Sequence, residues 1–296
     1  VLRPFELHEP ATVADAAALM GQLGDEAKLY AGGTELLLAM KQGLLRYSHL
    51  INIKRLGIDA ISFDQAHGCL RLGATATHRA VERSEMVARQ YPMLASMERH
   101  VANVRVRAVG TVGGNLSFAE PHSDVATVLL LYNATVTAGG VLGSRVLRVD
   151  DFLVDAYTTA LAHDEVLLHI DVPALPRGAG AEYRKFAFFE RPSAGAGAVL
   201  IPTADGTAVA EARVAIGCVG PVPRRIPEAE TALAGVPLRG SAFDRSLAEA
   251  VDAARRASDP VADLYGGADY KRHLVGVLTE RALTAARDHV AAGGRG

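Results

Sequence analysis

Two cysteines, Cys69 and Cys218, are all that the 296 residues contain, and they lie far apart in the chain. An ordinary iron–sulfur cluster or a Cys-rich zinc site needs four thiolates, so the chain supplies neither. Two buried, reduced thiols fit a cytoplasmic protein. An excess of charge is also missing: 31 Lys+Arg against 33 Asp+Glu give a formal net charge of −2. That excludes the basic footprint expected of a nucleic-acid-binding protein. Long apolar runs are absent too. "VATVLLLYNATV" (Val125–Val136) contains Asn133 and falls short of the roughly 20 residues needed to span a bilayer. The opening "VLRPFELHEP" shows neither the basic start and apolar run nor the cleavage site of a secretory signal. The expectation is a cytoplasmic protein with no transmembrane segment.

What remains is an ordinary globular composition, 49% hydrophobic and 22% charged. The length exceeds what a single core prefers, which predicts two or three subdomains. "PATVADAAALMGQLG" opens on Thr12 with Asp15 three residues later, a capping-box start, and places Ala16, Leu19, Met20 and Leu23 at helical spacing. "AKLYAGG" reads as a strand ending on Gly32-Gly33, "TELLLAMKQG" as a helix stopped by Gly43, and "SHLINIKRL" as a second strand. "AISFDQAHGCLRLGATAT" (Ala60–Thr77) reads as a hairpin turning at His67-Gly68. Helices are expected near Arg79–Arg89 and Met93–Val104, and "SDVATVLLLY" reads as a buried helix with Ser123 as N-cap. "ATVTAGG", "SRVLRVDDF" and "DEVLLHIDVP" read as strands, and the Pro- and Gly-rich "PALPRGAGAE" (Pro173–Glu182) as a linker. Beyond it come the strands "YRKFAFFE" and "GTAVAEARVAIGCVG". Helices Glu228–Leu233, Phe243–Ala257 and Ala268–His289 and a short frayed tail, "AAGGRG", follow. Strands followed by helices predict a C-terminal α+β domain.

Two similar glycine devices carry the chemistry: "AGGT" at Ala31–Thr34 and "TVGGN" at Thr111–Asn115. Consecutive backbone N–H groups in such turns form a nest for phosphate oxygens. The stretch Ala108–Asp124 holds no Lys or Arg, and Glu120 and Asp124 are acidic. Any anion there is met by neutral donors: backbone amides, the hydroxyls of Thr34 and Thr111 and the amide of Asn115. Neither device is a G-x-G-x-x-G fingerprint or a P-loop. Taken alone, each reads first as a tight turn, and the pair suggests a dinucleotide laid between two subdomains. His8, His78, His122 and His163 show no metal-ligand spacing and read as surface or core residues.

The segments "KLYAGGTELLLAMKQG" and "RVRAVGTVGGNLSFAEPHSDVATVLLLYNATV" resemble the FAD-binding subunits of the molybdenum hydroxylases. The resemblance runs from "PFELHEPATVADAAALM" through "DEVLLHIDVP" and "YRKF" to "GADYKRHLVGVLTERAL". It implies an α+β fold: two α/β FAD-binding subdomains of the PCMH type, as in vanillyl-alcohol oxidase, over residues 1–56 and 57–176. A C-terminal flavoprotein domain of antiparallel strands and helices over 177–296 completes it. Carried over, Leu29, Tyr30, Ala31, Gly32, Gly33, Thr34, Glu35 and Leu36 would wrap the diphosphate and flavin side. Thr111, Gly113, Gly114 and Asn115 would form a second phosphate loop, and Asp124 would accept hydrogen bonds from cofactor hydroxyls. Val101, Ala102 and Leu167 would line the cofactor, and Lys185 would sit near the isoalloxazine. Each has a plainer reading as well, Leu167 as core and Lys185 as a solvated strand residue. No catalytic residue and no metal ligand is expected on this chain.

Functionally the resemblance implies an electron-transfer subunit in a dimer of three-chain units. Its partners would be a molybdenum–pterin large subunit, a 2Fe–2S small subunit and an external acceptor such as a quinone, NAD or oxygen, with peripheral membrane association left open. Two alternatives differ in class: a stand-alone flavin oxidase or reductase, and a non-catalytic nucleotide-binding assembly module. One departure stands out. Where relatives tend to carry an acidic residue, "ERPSAGAGAV" is small and uncharged over Ser193–Gly197, which reads as a mobile loop. The helical residues Leu274, Val277, Leu278 and Ala282 suit either core or a partner interface.

Overall fold

Capping and burial set the first element. In a computed structural model of the chain, which describes residues 2–188 and 190–294, the Thr12 hydroxyl accepts the Asp15 amide and the Asp15 carboxylate accepts the Thr12 amide. The helix Val13–Leu23 that this reciprocal cap starts buries Ala16, Ala17 and Met20. The chain as a whole divides into two compact units, one of Val1–Ser84, Asn103–Glu120 and Ala134–Pro173, the other of Glu85–Ala102, Pro121–Asn133 and Ala174–Gly296.

The first unit holds two sheets. Strands Glu6–His8, His49–Asn52 and Ala27–Tyr30 lie in that order, all parallel. Helix Val13–Leu23 covers them through a core of Ala16, Met20, Ala27, Ile51 and Ile53. Helix Leu36–Gln42 ends where expected, on Gly43 in the left-handed region (φ 76°). The second sheet is antiparallel, in the order Ile61–Asp64, Cys69–Gly73, Val166–Pro173, Thr135–Gly140 and Gly143–Arg148. Its first hairpin turns at Gly68, and the strand expected over "SRVLRVDDF" stops at Arg148. Val149–Phe152 forms a helical turn instead, because Val149 and Phe152 both reach the core.

In place of one helix over Arg79–Arg89 there are two, His78–Arg83 and Glu85–Gln90, separated by extended backbone at Ser84. The next helix, Pro92–Arg99, ends before His100, and Asn103 caps a further helix, Val104–Val109, by accepting the amides of Arg105 and Val106.

In the second unit the antiparallel sheet runs Gly180–Phe186, Ala194–Pro202, Val209–Gly217, Arg224–Arg225. Of the loop expected over Ser193–Gly197, all but Ser193 is in fact the start of a central, buried strand, Ala194–Pro202. The small residues are there because both faces are covered. Ala194, Ala196 and Ala198 face the core shared with helices Ser241–Ala257 and Ala268–Ala291. On the opposite face a Cβ at Gly197 would lie 2.5 Å from the Leu131 side chain of helix Asp124–Leu131. Leu274, Leu278 and Ala282 belong to that core, which settles their reading. Helix Pro227–Leu233 closes the unit beside Val209–Gly217. Phe189 of "YRKFAFFE" and the last two residues of the tail lie outside the described residues. Among the described residues no helix is long and apolar enough to cross a membrane.

The tightest helix–sheet approach is at Gly180, where an added Cβ would lie 1.9 Å from the backbone carbonyl of Ala286. Backbone cannot swing aside as a side chain can. Gly180→Ala is therefore expected to lower unfolding stability by about 1–3 kcal/mol, the usual cost of overpacking. Gly206→Ala, by contrast, meets no atom but sits at φ 71°, so it carries only a backbone cost. Urea unfolding of both variants checks the pair.

Candidate functional site

Inside the first unit the first glycine device meets the segment just before the second. A Cβ on Gly32 would stand 2.3 Å from the Val109 carbonyl oxygen and 2.7 Å from the Gly110 Cα, so the two segments touch backbone to backbone. Gly33 has φ 71°, and its α-carbon rests on the Tyr30 ring, which a Cβ would reach at 2.4 Å. The Gly110 carbonyl accepts the His78 amide. Helices Val104–Val109 and His78–Arg83 are tied by Arg107, whose Nε donates to Glu82 at 3.0 Å while Arg79 donates to the same carboxylate. Burial pushes the Glu82 carboxyl up, but these two guanidinium groups outweigh it and hold it below the usual range.

The second Gly-Gly pair is not a turn. Gly113 and Gly114 lie in the first turn of helix Val112–Phe118, with Thr111 as its N-cap. Its opening amides are already occupied: Val112 donates to Ala76, Gly113 to Ala74, Gly114 to the Thr111 hydroxyl and Asn115 to the Thr111 carbonyl. The glycines answer a packing need, since a Cβ at Gly113 would fall 2.6 Å from both the carbonyl oxygen and the Cβ of Ala74. The first device differs. Among the described residues, the amides of Gly32, Gly33 and Thr34 meet no hydrogen-bond acceptor, although all three residues are half-buried. A run of partly buried, unpaired N–H groups is what an anion requires and what a closed fold otherwise avoids. The buried Thr75 hydroxyl, next to the Ala74 that carries Gly113, is also without a partner.

Other expected residues fall as follows. Leu29 and Tyr30 are in the strand that leads into the loop, and Ala31 and Glu35 flank it. Leu36 is core, packed with Met40 and Leu50. Leu167 is buried in the antiparallel sheet at a register shift. In the second unit Val101 is buried, and Ala102 has φ 41°, uncommon for a residue with a Cβ.

The second unit also brings Asp124 and Lys185 together. The Lys185 Nζ donates to Asp124 Oδ2 at 2.5 Å and to the His100 carbonyl at 2.7 Å. Tyr183, two residues before Lys185 on the same strand, donates its hydroxyl to Asp124 Oδ1 at 2.6 Å. Sequence reading missed Tyr183, although the two-residue period of a strand puts it on the face of Lys185. Burial, and then the Asp124 carboxylate, push the Tyr183 phenol well above its usual range. At the other end of helix Asp124–Leu131, Arg213 and Arg225 donate to the carbonyls of Leu131 and Leu130, and Arg225 also to Asn133. Ser123 sits at the N-cap position without a side-chain capping bond.

The sequence and the architecture match a known family. The model described as "FAD binding domain in molybdopterin dehydrogenase" matches residues 3–175, and "CO dehydrogenase flavoprotein C-terminal domain" matches residues 192–286. The carbon monoxide dehydrogenase medium chain of Hydrogenophaga pseudoflava is 33% identical over 283 residues, covering 95% of this chain and 96% of its own. The nicotine 6-hydroxylase medium subunit of Paenarthrobacter nicotinovorans is 32% identical, covering 94% and 95%. Among solved structures, carbon monoxide dehydrogenase from H. pseudoflava superposes with a TM-score of 0.91 at 34% identity, covering 97% of this chain and 98% of that one. Quinoline 2-oxidoreductase from Pseudomonas putida 86 gives 0.89 at 26% identity, covering 98% and 99%. The chain belongs to the FAD-binding subunits of the molybdenum hydroxylases, a family of oxidoreductases, and its cofactor is FAD.

Two substitutions probe the Asp124 cluster. Lys185→Met leaves a buried carboxylate without its cation and is expected to cost about 3–5 kcal/mol of stability. Tyr183→Phe removes one hydrogen bond to a charged group, expected to cost roughly 1.5–3 kcal/mol. The pH dependence carries a sign. A phenol whose folded pKa lies above its unfolded value stabilises the fold fully below about pH 10, and that contribution is lost as pH rises further. Tyr183→Phe should therefore be less stable than the native chain at pH 8, and the gap should narrow above pH 10 in denaturant titrations.

Proposed function

We propose that the chain is the electron-transfer flavoprotein of a multi-subunit molybdenum hydroxylase. It takes electrons from a 2Fe–2S small subunit, itself reduced by a molybdenum–pterin large subunit, and hands them to an external acceptor such as a quinone, NAD or oxygen. The observation that carries this reading is the unpaired amide run Gly32–Thr34. Those groups suit the diphosphate of FAD, because neutral donors fixed in advance solvate an anion without needing a lysine. When bound, FAD supplies the redox chemistry, coupling single-electron delivery to two-electron acceptors. The chain's own residues bind and orient it. Thr34 lends a hydroxyl beside its amide, and the Thr111 hydroxyl is committed to capping its helix. Val101, Ala102, Asn115, Asp124, Leu167 and Lys185 are assigned to the cofactor on the resemblance.

The division of labour follows from what the chain cannot do. Both cysteines are free and buried, so the clusters belong to another chain. Relatives with the same fold are named for carbon monoxide, nicotine and quinoline chemistry, which supports leaving substrate choice to the molybdenum subunit. A cytoplasmic complex fits two thiols kept reduced.

Two outcomes are expected. Thr34→Asp places a carboxylate within the amide run and should weaken FAD binding at least tenfold, about 1.4 kcal/mol, with the far-ultraviolet circular dichroism unchanged. Flavin fluorescence on titration reads this. Separately, the FAD-loaded chain alone should not bleach with any organic substrate of the complex. Bleaching without partner chains would favour the stand-alone oxidase.

A further inference from the structure

Glu6, His8 and His49 converge on one face of the parallel sheet of the first unit. Glu6–His8 is an edge strand, and its register places Glu6 opposite His49. Residues two apart on a strand share a face, so Glu6 and His8 flank the His49 ring. The Nε2 of His8 lies 3.0 Å from the Nδ1 of His49. Glu6 carboxylate oxygens stand 3.5 Å from His49 Nδ1 and 4.0 Å from His8 Nε2. The imidazoles are mostly buried and the Glu6 side chain is 66% exposed.

We infer that these three side chains form a binding site for a divalent metal ion of the zinc type, clipping the edge strand to its neighbour. Two ring nitrogens facing each other at this distance can share only one proton, so at least one lone pair is aimed at the space between them. Two nitrogens each about 2.0–2.1 Å from a common zinc ion are roughly 2.9–3.4 Å apart at right-angled to tetrahedral geometry, so the spacing already matches and binding asks the rings to tilt rather than to move apart. Glu6 closes the set by rotating a long, exposed side chain. Two imidazoles and a carboxylate form a borderline donor set that suits zinc and leaves a position for water. Sequence spacing could not reveal it, because His8 and His49 are 41 residues apart and are joined only by strand pairing. Clamping a three-residue edge strand steadies the fold, since so short an edge has few ladder bonds of its own.

The test uses the FAD-loaded chain after removal of metals with chelator, titrated with Zn²⁺ by calorimetry and with Co²⁺ by visible absorption. One saturable equivalent of Zn²⁺, Co²⁺ bands typical of nitrogen and oxygen ligation, and a rise in Tm on adding Zn²⁺ are expected. His8→Gln and His49→Gln should each weaken binding by more than the roughly tenfold that even an outer-shell loss costs. They should also abolish the rise in Tm. His67→Gln, at an exposed histidine paired with Asp64, should change neither. Glu6→Gln, at an exposed position the fold tolerates, should weaken binding too, and serves if the histidine variants do not fold. No saturable equivalent, or the same affinity in Glu6→Gln and in either folded histidine variant as in the native chain, would overturn the site.

Discussion

Backbone-on-backbone contact between Gly32 and the Val109–Gly110 segment is the constraint that shapes the first unit's glycine loop. No side chain fits between them, so the loop after the strand Ala27–Tyr30 is held by van der Waals contact rather than by hydrogen bonds of its own. Its amides are thereby left unspent. The second glycine pair shows the reverse: Val112 to Asn115 give their N–H groups to Ala76, Ala74 and Thr111, which fixes that helix start. The first device keeps free donors, and the second has spent its own within the fold.

The second unit rests on a buried ion pair. Asp124 is 5% exposed, and Lys185 and Tyr183 take its two oxygens. Arg213 and Arg225 hold the last carbonyls of the same helix. A helix fixed at both ends, with Thr127 against Gly217 and Leu131 against Gly197, leaves no room for side chains on the facing strands. The run of alanine and glycine over Ser193–Gly197 follows from that geometry. A buried ion pair is weak evidence for net stability, but removing one member is costly, and this makes the cluster a register pin between helix and sheet.

Much of this was legible in the sequence. Thr12 and Asp15, Gly43 and Gly68 marked element ends by local chemistry, which needs no tertiary information. What was not legible depended on distant partners. Strand Glu6–His8 has only three residues and pairs with His49–Asn52, far along the chain. Ala194–Gly197 lacks the alternation and the branched residues of a typical strand because both its faces are buried. Gly113-Gly114 has poor helix propensity, and only the Thr111 cap and the fit against Ala74 make it helical. Of the candidate site, the first loop was readable from its glycines. The Tyr183 contact was not, since its partner Asp124 lies 59 residues away.

The most direct test is residue-resolved amide hydrogen exchange on the chain with and without FAD. Protection is expected to rise chiefly at Gly32, Gly33 and Thr34, whose amides have no acceptor among the described residues, while Val112 to Asn115 change little because theirs are already bonded. Protection gained at Val112 to Asn115 alone, with Gly32 to Thr34 unchanged, would contradict it.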